Sequence, residues 1–230
     1  MDADPLSFDA VILAGGRSSR LGGVPKQNLT YNGDTLLHRA VAAAAGARVI
    51  AVVGPAEGDV PAGILRCREE PPFSGPAAAI AAGLSELRTS GGPGARFTLV
   101  LACDMPGAGP AVIALKDALR ITEHSGAEGG GGSRDGVVAV SEDGRRQPLA
   151  GFYSTAGLQH SVDELTAKGS LINASVRALL ASLDVQPVAV PAGSTADVDT
   201  WDDAAALGVA GRDPLSGFPG NAADDLGGKA

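Results

Sequence analysis

Short apolar runs alternate with alanine-rich stretches of helical period along most of this chain. The first run, Ala10-Val-Ile-Leu13, has no polar interruption and predicts a strand buried on both faces. A helix over 35–45, a strand over 49–53, a short strand over 64–66 and a helix over 76–88 follow from the same reading. The longest apolar run, 97–103, predicts a central strand. A helix over 110–124 comes next, with Pro110 in a first turn that needs no N–H from it. Strands over 136–141, 147–153 and 185–190 and helices over 158–167 and 171–183 complete the series. This βαβ alternation predicts an α/β fold: a doubly wound, mostly parallel sheet in three layers.

The glycine run in 126–135 predicts a mobile loop, and the Gly-, Pro- and Asp-rich stretch over 211–230 a disordered tail, leaving one domain over 8–210. A chain of 230 residues with 44% hydrophobic content can bury one substantial core. Its net charge of −8, from 18 basic against 26 acidic residues, argues against a general nucleic-acid or acidic-membrane surface. Cys67 and Cys103 show no metal-binding or disulfide spacing and are expected to be buried thiols. The acidic start lacks a signal-peptide core and no apolar window spans a bilayer, so a soluble cytoplasmic protein is expected, with a monomer as the default state.

Chemistry concentrates in Leu13-Ala-Gly-Gly-Arg-Ser-Ser-Arg-Leu-Gly-Gly-Val-Pro-Lys26, where a strand runs into a glycine-rich turn carrying spaced cations. Glycines let backbone N–H groups converge on phosphate oxygens, and Arg17, Arg20 and Lys26 can neutralise the charge. Lysine is scarce here, occurring at Lys26, Lys116, Lys168 and Lys229 against many more arginines, and a compact ammonium suits a point contact with phosphate. Neither the Walker pattern nor the dinucleotide fingerprint can be written on this segment. A nicotinamide enzyme would want an acidic ribose ligand near Asp34, which reads better as the N-cap of the next helix.

Leu13-Ala14-Gly15-Gly16, Ser19-Arg20-Leu21-Gly22 and Pro25-Lys26 together resemble the signature of the molybdenum cofactor guanylyltransferase-like nucleotidyltransferases. The resemblance spans about residues 8 to 208 and implies a Rossmann-like fold of the nucleotide-diphospho-sugar transferase type. It implies nucleotide contacts from Leu13, Ala14, Gly15, Gly16, Arg20 and Lys26. Ala102-Cys-Asp104-Met-Pro106 matches the family's Asp-x-Pro, which makes Asp104 an Mg²⁺ ligand; the plainer reading is a turn aspartate. Asp197-Val-Asp-Thr-Trp-Asp-Asp203 resembles the closing motif, with Asp199 as second metal carboxylate and Trp201 where proline is usual. The same residues also read as an acidic helix start.

Pro72-Phe-Ser-Gly-Pro76 resembles the loop against the nucleoside, giving Ser74 a ribose or base contact and Gly75 a close backbone approach; a helix-entry turn is the plainer reading. Guanylyl-specific relatives carry an acidic residue in this loop, for which Glu69 and Glu70 are near. Gln147-Pro-Leu-Ala-Gly-Phe-Tyr153 resembles the segment lining the acceptor side. The implied reaction moves GMP from GTP to the terminal phosphate of molybdopterin or its molybdenum-loaded form and releases pyrophosphate. Arg20, Lys26 and Asp104 would be catalytic, through alignment and charge neutralisation. Cytidylyl transfer to the pterin, transfer to a sugar or polyol phosphate, and a non-catalytic nucleotide-binding module are the alternatives.

Overall fold

The computed structural model describes residues 6–16, 18–55, 60–90, 94–129 and 134–211. Arg17 and the expected tail from 212 onward lie outside the described residues. In chain order the main elements are β1 (Phe8–Leu13), β2 (Thr30–Tyr31), β3 (Asp34–Thr35), α1 (Leu36–Ala43), β4 (Ile50–Val53) and β5 (Leu65–Cys67). They continue with α2 (Pro76–Thr89), β6 (Phe97–Ala102), α3 (Ala108–Gly129), β7 (Gly136–Val140), β8 (Arg146–Ser154), α4 (Thr155–Ala167), α5 (Val176–Leu179), β9 (Val185–Ala189) and α6 (Trp201–Leu207).

Seven strands form the central sheet in the order β5-β4-β1-β6-β8-β7-β9. All pairings are parallel except those of β8, which runs antiparallel to both β6 and β7. The β7–β8 connection through Glu142-Asp143-Gly144 is too short for a crossover, so the strand must reverse. Residues of β1 alternate between two cores. Ala10 and Ile12 meet α1 and α3, whereas Val11 and Leu13 meet α2, α4 and α5, which makes the three layers.

Asp9 is the polar exception within buried β1: its Oδ2 accepts the Ala95 N–H at 3.1 Å. Gly83 lets α2 lie on β1 and β4. A Cβ there would come within 2.5 Å of Val11 Cγ1 and 3.1 Å of Val53 Cγ2. Although alanine favours a helix interior by about 1 kcal/mol, overpacking a filled core costs about 1–3 kcal/mol. Gly83→Ala is therefore expected to lower stability in a urea titration; an unchanged or raised midpoint would show that α2 can slide outward.

Three expectations are corrected. The helix expected over 171–183 contracts to α5, because Asn173 takes a left-handed φ of 63° and Ser175 caps a new start by accepting the Ala178 N–H. Helix α3 runs to Gly129, into the stretch expected to be loop, and 130–133 lie outside the described residues. Thr35, not Asp34, caps α1 by accepting the His38 N–H; Asp34 instead belongs to a two-strand hairpin turned by Asn32 and Gly33. Among the described residues no helix is long and apolar enough to cross a membrane.

A third, smaller core has direct bearing on the site. Leu21, Leu29 and Leu36 pack with Val198, Ala204 and Val209, tying the glycine-rich loop to the C-terminal segment. Thr30 and Ala210 exchange two backbone hydrogen bonds of 2.8 Å, closing the same connection.

Candidate active site

Strand β1 ends beneath a cleft of about 280 Å³ whose lining includes Leu13, Ala14, Gly15, Gly16, Ser18 and Lys26. Ala14 still donates to the Val53 carbonyl, and Cys103 donates to that of Leu13, so the cleft floor is an extension of the sheet. Chain direction then changes at Gly16, where φ is +146°, a conformation that side-chain-bearing residues rarely adopt. Leu21, fully buried in the third core, anchors the loop and leaves Arg20 largely exposed above it.

Lys26 follows Pro25 in a short 3₁₀ turn. Its Nζ donates to Asp104 Oδ2 at 3.0 Å and to Asp199 Oδ1, joining residues from three distant parts of the chain. Arg20 Nη1 reaches Asp199 Oδ2 at 3.3 Å. Burial alone would pull the Lys26 ammonium down, but its hydrogen bonds and charge pairing with Asp199 and Asp104 hold it above the ordinary lysine range.

Asp104 stands just beyond β6, and its carbonyl accepts the Val198 N–H at 2.9 Å. That bond fixes the Asp197–Asp199 segment against the sheet end. Carboxylate oxygens of Asp104, Asp197 and Asp199 lie within 4.8 Å of one another. Burial, then the charges of Asp104 and Asp199, push the Asp197 carboxyl above its usual range. An all-oxygen donor set of this kind fits a hard divalent cation. Asp197 was not singled out from the sequence; the signal available was its two-residue spacing from Asp199.

The reading of the acidic segment as a helix start holds in the structure. Thr200 is the N-cap of α6 and forms a capping box with Asp203, whose Oδ2 also accepts the Asp199 N–H at 3.2 Å. The Thr200 hydroxyl and the backbone N–H groups hold the Asp203 carboxyl below its ordinary value. Thr200→Ala is expected to cost about 1 kcal/mol of stability. Because the cap also orients Asp199, cation-induced stabilisation should weaken too; a thermal melt with and without Mg²⁺ measures both.

The opposite wall comes from the loop before α2. Gly75, at φ +91°, brings the backbone to the cleft. Ser74, expected to contact the nucleoside, is 2% exposed, does not line the cleft, and donates its hydroxyl to the Pro71 carbonyl within its own loop. The Ser74 carbonyl also accepts the Asn173 N–H, bracing the loop from behind. Glu69 and Phe73 face the cleft instead. Glu69 Oε1 accepts the Phe73 N–H at 2.9 Å, and the Arg68 guanidinium lies 5.2 Å from the Phe73 ring centre. Glu70 is exposed.

Cys103 lines the cleft but is a poor nucleophile, since burial drives its thiol far above the usual range. The Cys67 thiol is pushed up to about 11, by burial first and then by Glu86 and Glu69. Both cysteines are free.

Residues 10–191 match the model of the MobA-like NTP transferase domain family. A probable molybdenum cofactor guanylyltransferase of Mycobacterium avium (strain 104) is 32% identical over 217 residues, covering 90% of this chain and 98% of that protein. Among solved structures, molybdopterin-guanine dinucleotide biosynthesis protein A from Archaeoglobus fulgidus aligns with TM-score 0.59 at 18% identity, over 86% of this chain and 96% of that one. The 2-C-methyl-D-erythritol 4-phosphate cytidylyltransferase of Francisella tularensis aligns with TM-score 0.64 at 13% identity, over 88% and 98%. At such identities the structural likeness speaks for the fold.

Proposed function

The chain belongs to the MobA-like NTP transferase domain family and is a nucleotidyltransferase; on that premise we propose that it transfers GMP from GTP to the terminal phosphate of molybdopterin or its molybdenum-loaded form, releasing pyrophosphate. The observation that carries this reading is the meeting of Lys26, Asp104 and Asp199 at the mouth of the glycine-rich cleft. The acceptor phosphate is already an anionic nucleophile, so the protein has no proton to remove from it. An acceptor oxygen forms a bond to the α-phosphorus while the bond from that phosphorus to the pyrophosphate oxygen breaks.

Glycines 15 and 16 admit the triphosphate to the backbone, and Lys26 with Arg20 balances the charge that gathers on the departing pyrophosphate. Asp104 and Asp199, with Asp197 beside them, would hold Mg²⁺, which supplies further charge neutralisation on the phosphates when bound. Glu69 supports guanine as the base. It is buried at the cleft wall, where a carboxylate can accept from the adjacent ring and exocyclic N–H groups of guanine, a donor pair that cytosine lacks. The same proposal places the reaction in one cytoplasmic, monomeric domain over 8–210.

Pyrophosphate release with each of the four NTPs and Mg²⁺, with and without molybdopterin, tests the reading. Release should require GTP and the pterin. Release with CTP instead would retain the mechanism and reassign the donor; release only with another phosphorylated acceptor would reassign the acceptor. Glu69→Gln should narrow the preference for GTP over the other NTPs by about tenfold or more, as for loss of one paired base contact. An unchanged preference would remove Glu69 from base selection.

A further inference from the structure

Gln27 occupies the middle of the 3₁₀ turn that begins at Lys26, two residues before Leu29 enters the third core. That placement draws the side chain in, leaving it 7% exposed. Its carboxamide makes no hydrogen bond to the described residues, yet neither polar atom is sealed off, as Asp9 Oδ1 and His38 Nε2 are. Buried amides are ordinarily paired, and one left unpaired costs stability in the empty protein. A donor and an acceptor that open onto a cleft without a partner point to a ligand that supplies one.

The lining of the cleft says which part of the ligand. Gln27 borders both the nucleotide cleft and a smaller adjoining hollow of about 120 Å³. Glu69 and Phe73 border both as well, whereas Lys26 and Asp104 border the cleft alone. Gln27 therefore belongs with Glu69 at the end of the cleft away from the phosphate- and cation-binding side chains. With the triphosphate at Lys26, the base lies at that end.

A carboxylate only accepts, so Glu69 can serve the ring N–H and the 2-amine of guanine but not O6, the acceptor on the same edge. A carboxamide N–H₂ is the donor that O6 requires, and one amide beside one carboxylate complements the acceptor–donor–donor order of that edge. Arg68, exposed nearby, already lies over the Phe73 ring. We propose that Gln27 is a base-selecting residue, donating its carboxamide N–H to O6 of guanine while Glu69 accepts from the neighbouring N–H groups. The assignment rests on GTP as the donor and adds the residue that reads the atom Glu69 cannot.

The test is equilibrium dialysis of GTP, 6-thio-GTP, ITP and CTP in MgCl₂ against the full chain as wild type, Gln27→Met and Gln27→Glu. 6-Thio-GTP replaces O6 by sulfur, a weak acceptor, whereas ITP keeps O6 and lacks the 2-amine. Wild type should bind GTP about tenfold more tightly than 6-thio-GTP. That preference should vanish in Gln27→Met, with GTP bound about tenfold more weakly, while the preference for GTP over ITP, which belongs to Glu69, is kept. Gln27→Glu keeps the shape without a donor and should lose the same preference. Without nucleotide, Gln27→Met should melt no lower than wild type, because methionine leaves no amide unpaired. A wild type indifferent to the O6 replacement, a preference for O6 that survives in both variants, an equal loss of the ITP preference, or a lower melting temperature of nucleotide-free Gln27→Met would each overturn the assignment. A wild type that prefers CTP would sink guanylyl transfer and this assignment together; a wild type that prefers GTP, with variants that still sense O6, would keep guanylyl transfer and remove Gln27 alone.

Discussion

Asp104→Ala should abolish nearly all pyrophosphate release, lowering kcat by about a thousandfold, as removal of one fixed electrostatic partner of a transition state does elsewhere. The fold should survive the change. Asp104 holds the C-terminal segment through its backbone carbonyl, which accepts from Val198, and alanine keeps that carbonyl. The side chain does something separate: together with Asp199 it clamps the Lys26 ammonium, and together with Asp197 and Asp199 it completes the carboxylate cluster. Pre-steady-state release from GTP, compared with GTP binding by equilibrium dialysis in Mg²⁺, separates chemistry from affinity. A variant retaining more than about a tenth of wild-type kcat would contradict an electrostatic role of the size argued here. Asp197→Asn should cost less than Asp104→Ala, because Asp197 is exposed and the Lys26 ammonium is held by Asp104 and Asp199.

How much of this was legible in the sequence depended on the kind of signal. Strands β1 and β6 are buried along their whole lengths, so each is written as an apolar run that needs no partner to be recognised. The direction of β8 is not a property of its own residues. It follows from the short turn at Asp143-Gly144, which was available but requires reading the connection and not the strand. The 171–183 stretch has helical composition, yet Asn173 is held in a left-handed conformation beside the Ser74 loop, a tertiary contact that overrides propensity.

The site divides the same way. Lys26, Asp104 and Asp199 each belonged to a local motif, and the structure brings their side chains together although they are 78 and 173 residues apart. Their convergence depends on the third core and the Thr30–Ala210 pairing, contacts among scattered aliphatic residues that no window of sequence displays. The Ser74 hydroxyl could satisfy a neighbouring carbonyl as easily as a ribose, and in the structure it donates to Pro71, a choice that only the backbone path decides. Glu69, recessed at the wall, emerged over Glu70 for a similar reason: adjacent residues face opposite ways, and the register was not readable from the Pro71-Pro72 turn.

Lys26→Met should produce two effects of opposite character, and their combination distinguishes a catalytic cation from a merely structural one. Turnover should fall by about two to three orders of magnitude, because the phosphates lose a positioned charge within a partly dry cleft. At the same time, the response of the nucleotide-free protein to divalent cations should grow. In the wild type the Lys26 ammonium already bridges Asp104 and Asp199, so a cation entering the cluster must compete with it. Methionine keeps the apolar stem of the side chain and removes the competitor, leaving Asp104, Asp197 and Asp199 with a mutual repulsion that an added cation relieves. The variant should therefore melt lower than wild type in chelator and show a larger rise in melting temperature with MgCl₂, since a ligand stabilises the folded state more the more tightly it binds it. Equal cation responses in the two proteins would mean that Lys26 and the metal do not share the same carboxylates. Lys26→Arg would sharpen the point: its charge is retained, but a planar fork replaces a compact ammonium between two carboxylates, so stability in chelator should recover more fully than turnover.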